Sequence, residues 1–136
     1  MDLFNKLEFW QLMATLLIAY SVHRYGKQNT TMNAVKELRE KSDPAYKHIE
    51  HLPKKYEELG REQRSLVAAY LNEYEHFCAL YNTGIINRSL AKITRQDTIV
   101  KAYEEYCGFI ESWRKEHAPE AWEQLRICAE ELGAEC

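Results

Sequence analysis

The sequence predicts an all-α protein, with one N-terminal transmembrane helix followed by a cytoplasmic bundle of four to five helices. Glycine and proline are scarce, with 5 and 3 among 136 residues, and few segments alternate as strands do. Apolar residues instead recur at steps of three and four, which is the spacing of one helix face. A chain of this length is enough for one domain with a modest core.

The first helical segment is almost entirely apolar. No residue between Phe9 and Val22 is charged. With its interfacial end the run reaches about 17 residues, or roughly 25 Å. Aromatic residues stand at both ends, as is typical of membrane interfaces. We therefore predict a membrane-spanning helix within residues 1–27. Its apolar members are Phe9, Trp10, Leu12, Leu16, Leu17, Ile18 and Val22.

Three uncharged polar residues interrupt this run, namely Gln11, Thr15 and Ser21. If copies of the span associate, these side chains are candidates for hydrogen bonds between helices. Two other interpretations of the segment stay open. In the first, the segment is an apolar helix buried in a soluble oligomer or bundle. In the second, it is an amphipathic anchor that lies in the membrane interface.

Flanking charges predict how the span is oriented. Arg24 and Lys27 follow it directly, whereas the one basic residue before it, Lys6, is offset by two carboxylates. The rule that basic residues stay inside then places the N-terminus outside and residues 28–136 in the cytoplasm. The predicted location is the bacterial inner membrane, crossed once.

The bundle begins with a predicted juxtamembrane helix over residues 25–41. Ser42 and Pro44 then predict a break and a new start, because serine caps helices and proline is favoured at the first helical position. This second helix is short and ends near His51.

Three longer segments and one short helix complete the predicted bundle. Residues 54–82 carry the strongest helical periodicity, and Gly84 ends this helix as a C-terminal cap. Its apolar residues at steps of three and four are Leu59, Leu66, Ala69, Tyr70, Phe77, Leu80 and Tyr81. Ile85 and Ile86 are then predicted to enter the core. Asn87 predicts the start of a short helix, and Thr94 predicts a second start shortly after it. The helix after Thr94 carries a predicted core face of Ile99, Tyr103, Tyr106, Phe109, Ile110 and Trp113. Pro119 predicts the beginning of the last helix.

The four cysteines, Cys78, Cys107, Cys128 and Cys136, include no CxxC pair. This spacing argues against a zinc ribbon or a thioredoxin-like site. We predict free thiols in a reducing cytoplasm. Cys78 and Cys107 are expected to be small buried hydrophobic residues, and Cys136 a mobile chain end.

The charge balance and the motifs argue against several classes of function. With 18 basic and 21 acidic residues the net charge is -3, which argues against nucleic acid as a partner. Glu73 and His76 lie one helical turn apart, but a di-iron bundle needs two such pairs. Arg114 and His117 share a turn, yet their spacing does not match that of helical ribonucleases.

The sequence also contains no nucleophile motif, phosphate loop or glycine fingerprint. We therefore predict a protein that is not an enzyme and that needs no cofactor and no metal. The candidate functional polar residues of the bundle are Glu73, Glu75 and Arg114.

Three stretches of the sequence carry a family resemblance: WQLMATLLIAYSVHRYGKQ, LNEYEHFCALYNTGIINRSL and FIESWRKEHAPEAWEQL. Together they resemble an uncharacterised bacterial family of small proteins. Its pattern is LN-x-x-E, then a glycine turn, then an aromatic-rich helix that ends in arginine. The matching positions are Leu71, Asn72, Glu75, Gly84, Ile85, Ile86, Asn87 and Arg114.

The resemblance implies one membrane helix and a cytoplasmic helical domain whose function is unknown. The layout is also similar to that of the small transmembrane accessory proteins of type VI CRISPR systems, which assemble into a membrane pore. This second likeness lies in the order of the parts and not in particular residues.

The predicted function is that of a small membrane-anchored, oligomeric helical protein. It would act as a pore-like effector or accessory factor in bacterial antiviral defence or phage conflict. Its expected partners are the membrane, further copies of itself and another protein. The alternative is a soluble interaction module, such as a phage inhibitor or a regulatory subunit. In that case the apolar first helix is buried in a dimer or partner interface.

Overall fold

The computed structural model describes residues 2–136, which form four α-helices. They are α1 (Asp2–Ile49), α2 (Arg61–Asn82), α3 (Arg88–Glu116) and α4 (Glu123–Glu131), and a short 3-10 turn (Tyr56–Glu58) lies between α1 and α2. No strand occurs in this part of the chain. The all-α prediction is therefore confirmed.

Helix α1 is one uninterrupted helix of 48 residues, so the predicted break at Ser42 and the separate juxtamembrane helix are wrong. A proline inside a helix loses the hydrogen bond to the carbonyl four residues earlier. Packing outweighs that cost here, because Ser42 and Ile49, on either side of Pro44, are both buried against the bundle.

The second half of α1 packs mainly against α2, and α4 packs against α2 and α3. The buried residues of α1 are Thr31, Val35, Leu38, Ser42 and Ile49. They recur at steps of three, four and seven residues, which places them on one face. This half of α1 is therefore an ordinary amphipathic helix of a bundle.

Aromatic side chains fill the centre of the bundle. The rings of Tyr106 and Phe109 on α3 are buried, and their centroids are 6.5 Å apart. Tyr70 of α2 packs against Tyr106 at 5.7 Å, and Trp122 packs against Phe109 at 6.1 Å. The predicted core face of α3 is thus confirmed at its aromatic positions.

The turn between α2 and α3 lies against α1. Gly84 has φ +75°, a conformation that glycine adopts without strain, and the predicted end of α2 is confirmed. The side chain of Asn87 accepts a hydrogen bond from the Leu90 N–H at 3.1 Å, which caps α3 as predicted. The N–H of Asn87 donates to the Thr31 hydroxyl at 2.7 Å. This bond fixes the turn to α1.

Two predicted boundaries in the second half of the chain are wrong. Helix α3 runs without a break past Thr94, whose hydroxyl donates to the Leu90 carbonyl at 2.9 Å instead of capping a new helix. Helix α4 begins at Glu123 and not at Pro119.

The prediction of four free thiols is also wrong. Cys107 and Cys136 form a disulfide, with Cα atoms 6.1 Å apart. Cys136 therefore ties the end of the chain to α3. Cys78 and Cys128 are free and buried. The sequence could not reveal this pairing, because only the fold brings residues from α3 and the C-terminus together.

Candidate functional site

The first half of α1 extends away from the bundle, and we call residues 2–26 the arm. Every side chain of the arm is exposed, and partial burial begins at Lys27. At 1.5 Å per residue the arm is about 37 Å long. It is the one long stretch of helix, within the described residues, that the rest of the chain leaves uncovered.

Between Phe9 and Val22 the arm exposes apolar side chains on all sides. Exposed fractions are 67% for Trp10, 61% for Leu17 and 66% for Val22. All the residues predicted for the membrane span are exposed: Phe9, Trp10, Leu12, Leu16, Leu17, Ile18 and Val22. A helix that is apolar all round needs cover from lipid or from protein.

The three polar residues between Phe9 and Val22 do not form a single stripe. The Thr15 hydroxyl donates to the carbonyl of Gln11 at 2.9 Å, so these two residues share a face. Ser21 comes six residues after Thr15, which is about 120° around the helix. Gln11 and Thr15 could meet the same neighbouring helix, whereas Ser21 lies on a different side.

Measured by length and hydropathy together, no helix between residues 2 and 136 qualifies as a candidate membrane span. The uncharged run of the arm is flanked closely by Glu8 and by Arg24. These charges limit its length.

The apolar surface continues from the arm onto the bundle. An open cleft of about 550 Å³ lies where the two meet, between Val22 and Lys27 on one side and Ile85 on the other. Ile85 is 55% exposed, whereas Ile86 beside it is fully buried. The prediction that both isoleucines enter the core is wrong for Ile85. The signal for its exposure was its place directly after the turn residue Gly84.

Two of the candidate polar residues of the bundle anchor α4. The carboxylate of Glu75 accepts hydrogen bonds from the N–H groups of Gln124, at 3.1 Å, and Leu125, at 2.7 Å. These groups belong to the first turn of α4 and have no partner within the helix. Glu75 therefore caps α4 from the neighbouring α2.

Arg114 holds the connection that leads into α4. Its Nε donates to the Ala121 carbonyl at 2.7 Å, and its Nη2 lies 2.9 Å from Glu123 Oε2. Trp122, which follows Ala121, has a left-handed φ of 55°, a backbone conformation that costs energy for a residue with a bulky side chain. Its indole N–H donates to Asn72 at 2.9 Å. Asn72, Glu75 and Arg114 thus have a structural role, because their side chains hold the connection into α4 and its first turn.

The third candidate, Glu73, lies beside His76 in a narrow gap between α1 and α2. The structure does not bring Glu73 together with Glu75 and Arg114. Across residues 2–136, no group of three or more His, Cys, Asp or Glu side chains is placed to hold a metal ion.

Comparison with known proteins places the chain in a family. Residues 8–132 match the family described as "Domain of unknown function (DUF4760)". Neither the curated proteins nor the solved structures include a match to the chain. Because the match covers both the arm and the bundle, the chain belongs to the DUF4760 family.

Proposed function

We propose that this chain is a small, non-enzymatic membrane-anchored protein whose arm enters the bacterial inner membrane. The observation that carries the proposal is the uncharged stretch of the arm between Phe9 and Val22, which exposes apolar side chains in every direction. Covering one Leu, Ile, Val or Phe side chain contributes about 1.5–3 kcal/mol. Lipid is a suitable cover for an uncharged helix, because its backbone hydrogen bonds are made within the helix.

The ends of the arm match the levels of a membrane interface. Tyr20 and Tyr25 lie near the bundle, whereas Phe9 and Trp10 lie toward the free end. Arg24 follows the uncharged run directly, so its guanidinium would lie among the lipid headgroups. Ile85 would then face the interface beside the arm. The basic residues Arg24 and Lys27 after the run support an orientation with the bundle on the cytoplasmic side.

We further propose that copies of the chain associate through their arms. Gln11 and Thr15 lie on one face of the arm, so they would form hydrogen bonds between neighbouring helices. Because Ser21 lies on another side, it would not belong to the same contact. The proposed setting is bacterial antiviral defence or phage conflict, where the assembly acts as a pore-like effector or accessory factor. Only the resemblance in layout supports that setting.

The second candidate is a soluble interaction module whose arm is covered by a dimer or by a protein partner. The short length of the uncharged run favours this alternative, because no helix in residues 2–136 qualifies as a membrane span. An apolar arm of this length could pair with a second arm along its whole length.

Fractionation of the full-length protein separates the two candidates. We expect the protein to pellet with membranes, to resist a carbonate wash and to emerge in detergent as a discrete multimer. Recovery in the soluble fraction without detergent would instead establish the interaction module and would exclude the membrane anchor.

A matched pair of variants assigns the result to the arm. Leu17→Arg places a charge near the middle of the arm, at a cost of about 2.5–3.5 kcal/mol for a membrane helix. We expect this variant to be lost from the carbonate-resistant fraction. Ile93→Arg changes another exposed apolar residue, on α3 of the bundle, and should leave membrane retention unchanged.

A further inference from the structure

A second cleft lies at the end of the bundle where α2 begins and α3 ends, opposite the Gly84 turn. It has a volume of about 420 Å³, which is within the range of small-molecule sites. The residues that line it and that matter here are Tyr56, Arg61, Arg64, Trp113, Glu116 and His117. Helix α2 separates this cleft from the arm by about 33 Å, at 1.5 Å per residue.

The guanidinium of Arg64 is held in a fixed plane. Its carbon lies 3.7 Å above the centre of the Tyr56 ring, and its Nε donates to the Tyr56 carbonyl at 3.1 Å. Among the described residues its two terminal nitrogens make no hydrogen bond and no ion pair. They are therefore free to donate to a ligand.

Arg61 brings a second guanidinium to the same cleft. It begins α2, is exposed, and makes no ion pair with any carboxylate of residues 2–136. Two planar guanidinium groups that face one cleft can bind the oxygens of a phosphate in a bidentate manner. Their joint charge suits an anionic ligand.

Aromatic rings form the other wall of the cleft. The ring centroids of Trp113 and His117 are 4.3 Å apart, and the ring planes are tilted by 39°. The Tyr56 hydroxyl donates to Glu116 Oε2 at 2.6 Å and lies 3.2 Å from His117 Nε2. The hydrogen bond to Glu116, together with burial, raises the pKa of Tyr56. The hydroxyl therefore stays protonated at neutral pH and keeps His117 and Glu116 in place.

We infer that this cleft binds a free nucleotide, with the phosphate on Arg61 and Arg64 and the base against the rings of Trp113 and His117. Aromatic side chains stack on bases without requiring a particular sequence. The carboxylate of Glu116 repels a phosphate, so the positive charges of both arginines are needed to bind it. A strand of nucleic acid is the less suitable ligand, because the chain carries a net charge of -3.

Titration calorimetry on the full-length protein tests this inference, with AMP, adenosine and inorganic phosphate as the probes. We expect AMP to bind with a dissociation constant below about 1 mM, and adenosine to bind at least about tenfold more weakly. Arg61→Gln should weaken AMP binding about tenfold or more, since charged hydrogen bonds to phosphate are lost. Within residues 2–136 Arg61 makes no ion pair, so its replacement should not disturb folding.

The matched control is Arg39→Gln, which changes an exposed arginine on α1 far from the cleft. It should shift AMP binding less than twofold. The inference is overturned if AMP does not bind, if adenosine binds as well as AMP, or if Arg61→Gln and Arg39→Gln behave alike. Tighter binding of a 5′-phosphorylated oligonucleotide than of AMP would overturn the assignment to a free nucleotide. None of these outcomes depends on where the arm is placed.

Discussion

The two halves of α1 share one continuous backbone and have opposite surroundings. From Thr31 to Ile49 the buried residues lie on one face, and α2 covers that face. From residue 2 to 26 apolar residues lie on all sides, and the chain covers none of them. The distribution of apolar residues around a helix, more than their number, decides whether its own chain can bury it.

This difference implies that the arm and the bundle depend on separate sources of stability. The bundle buries its aromatic core by itself, whereas the arm needs cover from outside the chain. Changes in the core should therefore alter unfolding without altering membrane retention. Changes in the arm should do the reverse.

The largest effect should come from Phe109→Ala, at the centre of the core. Phe109 is fully buried and contacts aromatic rings on several sides. Removing the ring should lower the free energy of unfolding by about 3–5 kcal/mol, measured by denaturant titration of the full-length protein. Carbonate-resistant membrane retention should stay at the level of the unchanged protein.

Ile93→Ala is the control for this prediction, because Ile93 is 82% exposed. Its effect should be within about 0.5 kcal/mol. If folded Phe109→Ala protein left the membrane, the arm and the bundle would not be independent.

The next effect concerns the disulfide and the side of the membrane on which the bundle lies. Cys136→Ser should lower the free energy of unfolding by about 2–4 kcal/mol in oxidising buffer and by much less in reducing buffer. The structure holds Cys107 and Cys136 as a disulfide, but a reducing cytoplasm would open it. If the bundle lies there, rapid alkylation of cells should find both cysteines mostly as thiols. A fully oxidised pair would overturn the proposed orientation.

Two buried thiols serve as the internal control in that alkylation. The hydrogen bond to Cys128, together with burial, raises the pKa of Cys78. Cys78 and Cys128 are both buried, so the reagent should not reach either thiol while the protein is folded. Labelling of Cys78 would indicate that the bundle had opened during the experiment.

The smallest effect should come from the cap of α4. Glu75→Gln removes the charge that accepts two N–H bonds from the first turn of that helix. We expect a loss of about 1–2 kcal/mol in the free energy of unfolding. Glu73→Gln, on the same helix and without such bonds, should change it by less than about 0.5 kcal/mol. Equal effects would show that the cap contributes nothing specific.

Local signals in the sequence predicted part of the fold well. Gly84 ended α2 and Asn87 capped α3, since both act through the backbone conformation of their own turn. The core face of α2 was less well predicted. Leu66 was expected in the core but is 44% exposed, while its neighbour Val67 is fully buried. Periodicity fixes a spacing, and the position of the neighbouring helix decides which set of residues faces it.

The candidate functional residues were likewise predicted only where they depend on local sequence. The sequence identified the arm as an uncharged, apolar helical segment, because that property depends only on the composition of one stretch of chain. It did not identify the cleft of Tyr56, Arg64 and His117, whose members come from three separate segments. It also placed Glu75 and Arg114 among the functional residues. Their partners on α4 are visible only once the helices are packed together.

The sequence by itself determined an all-helical chain, an apolar N-terminal segment and the turn at Gly84, since each depends on neighbours a few residues apart. Tertiary structure alone decided that α1 runs unbroken through Pro44, that Cys107 pairs with Cys136, and that the arm is left without cover. The physical reason is distance along the chain. Burial, ion pairing and disulfide formation depend on which remote segments meet. Local helix propensity does not determine which segments these are.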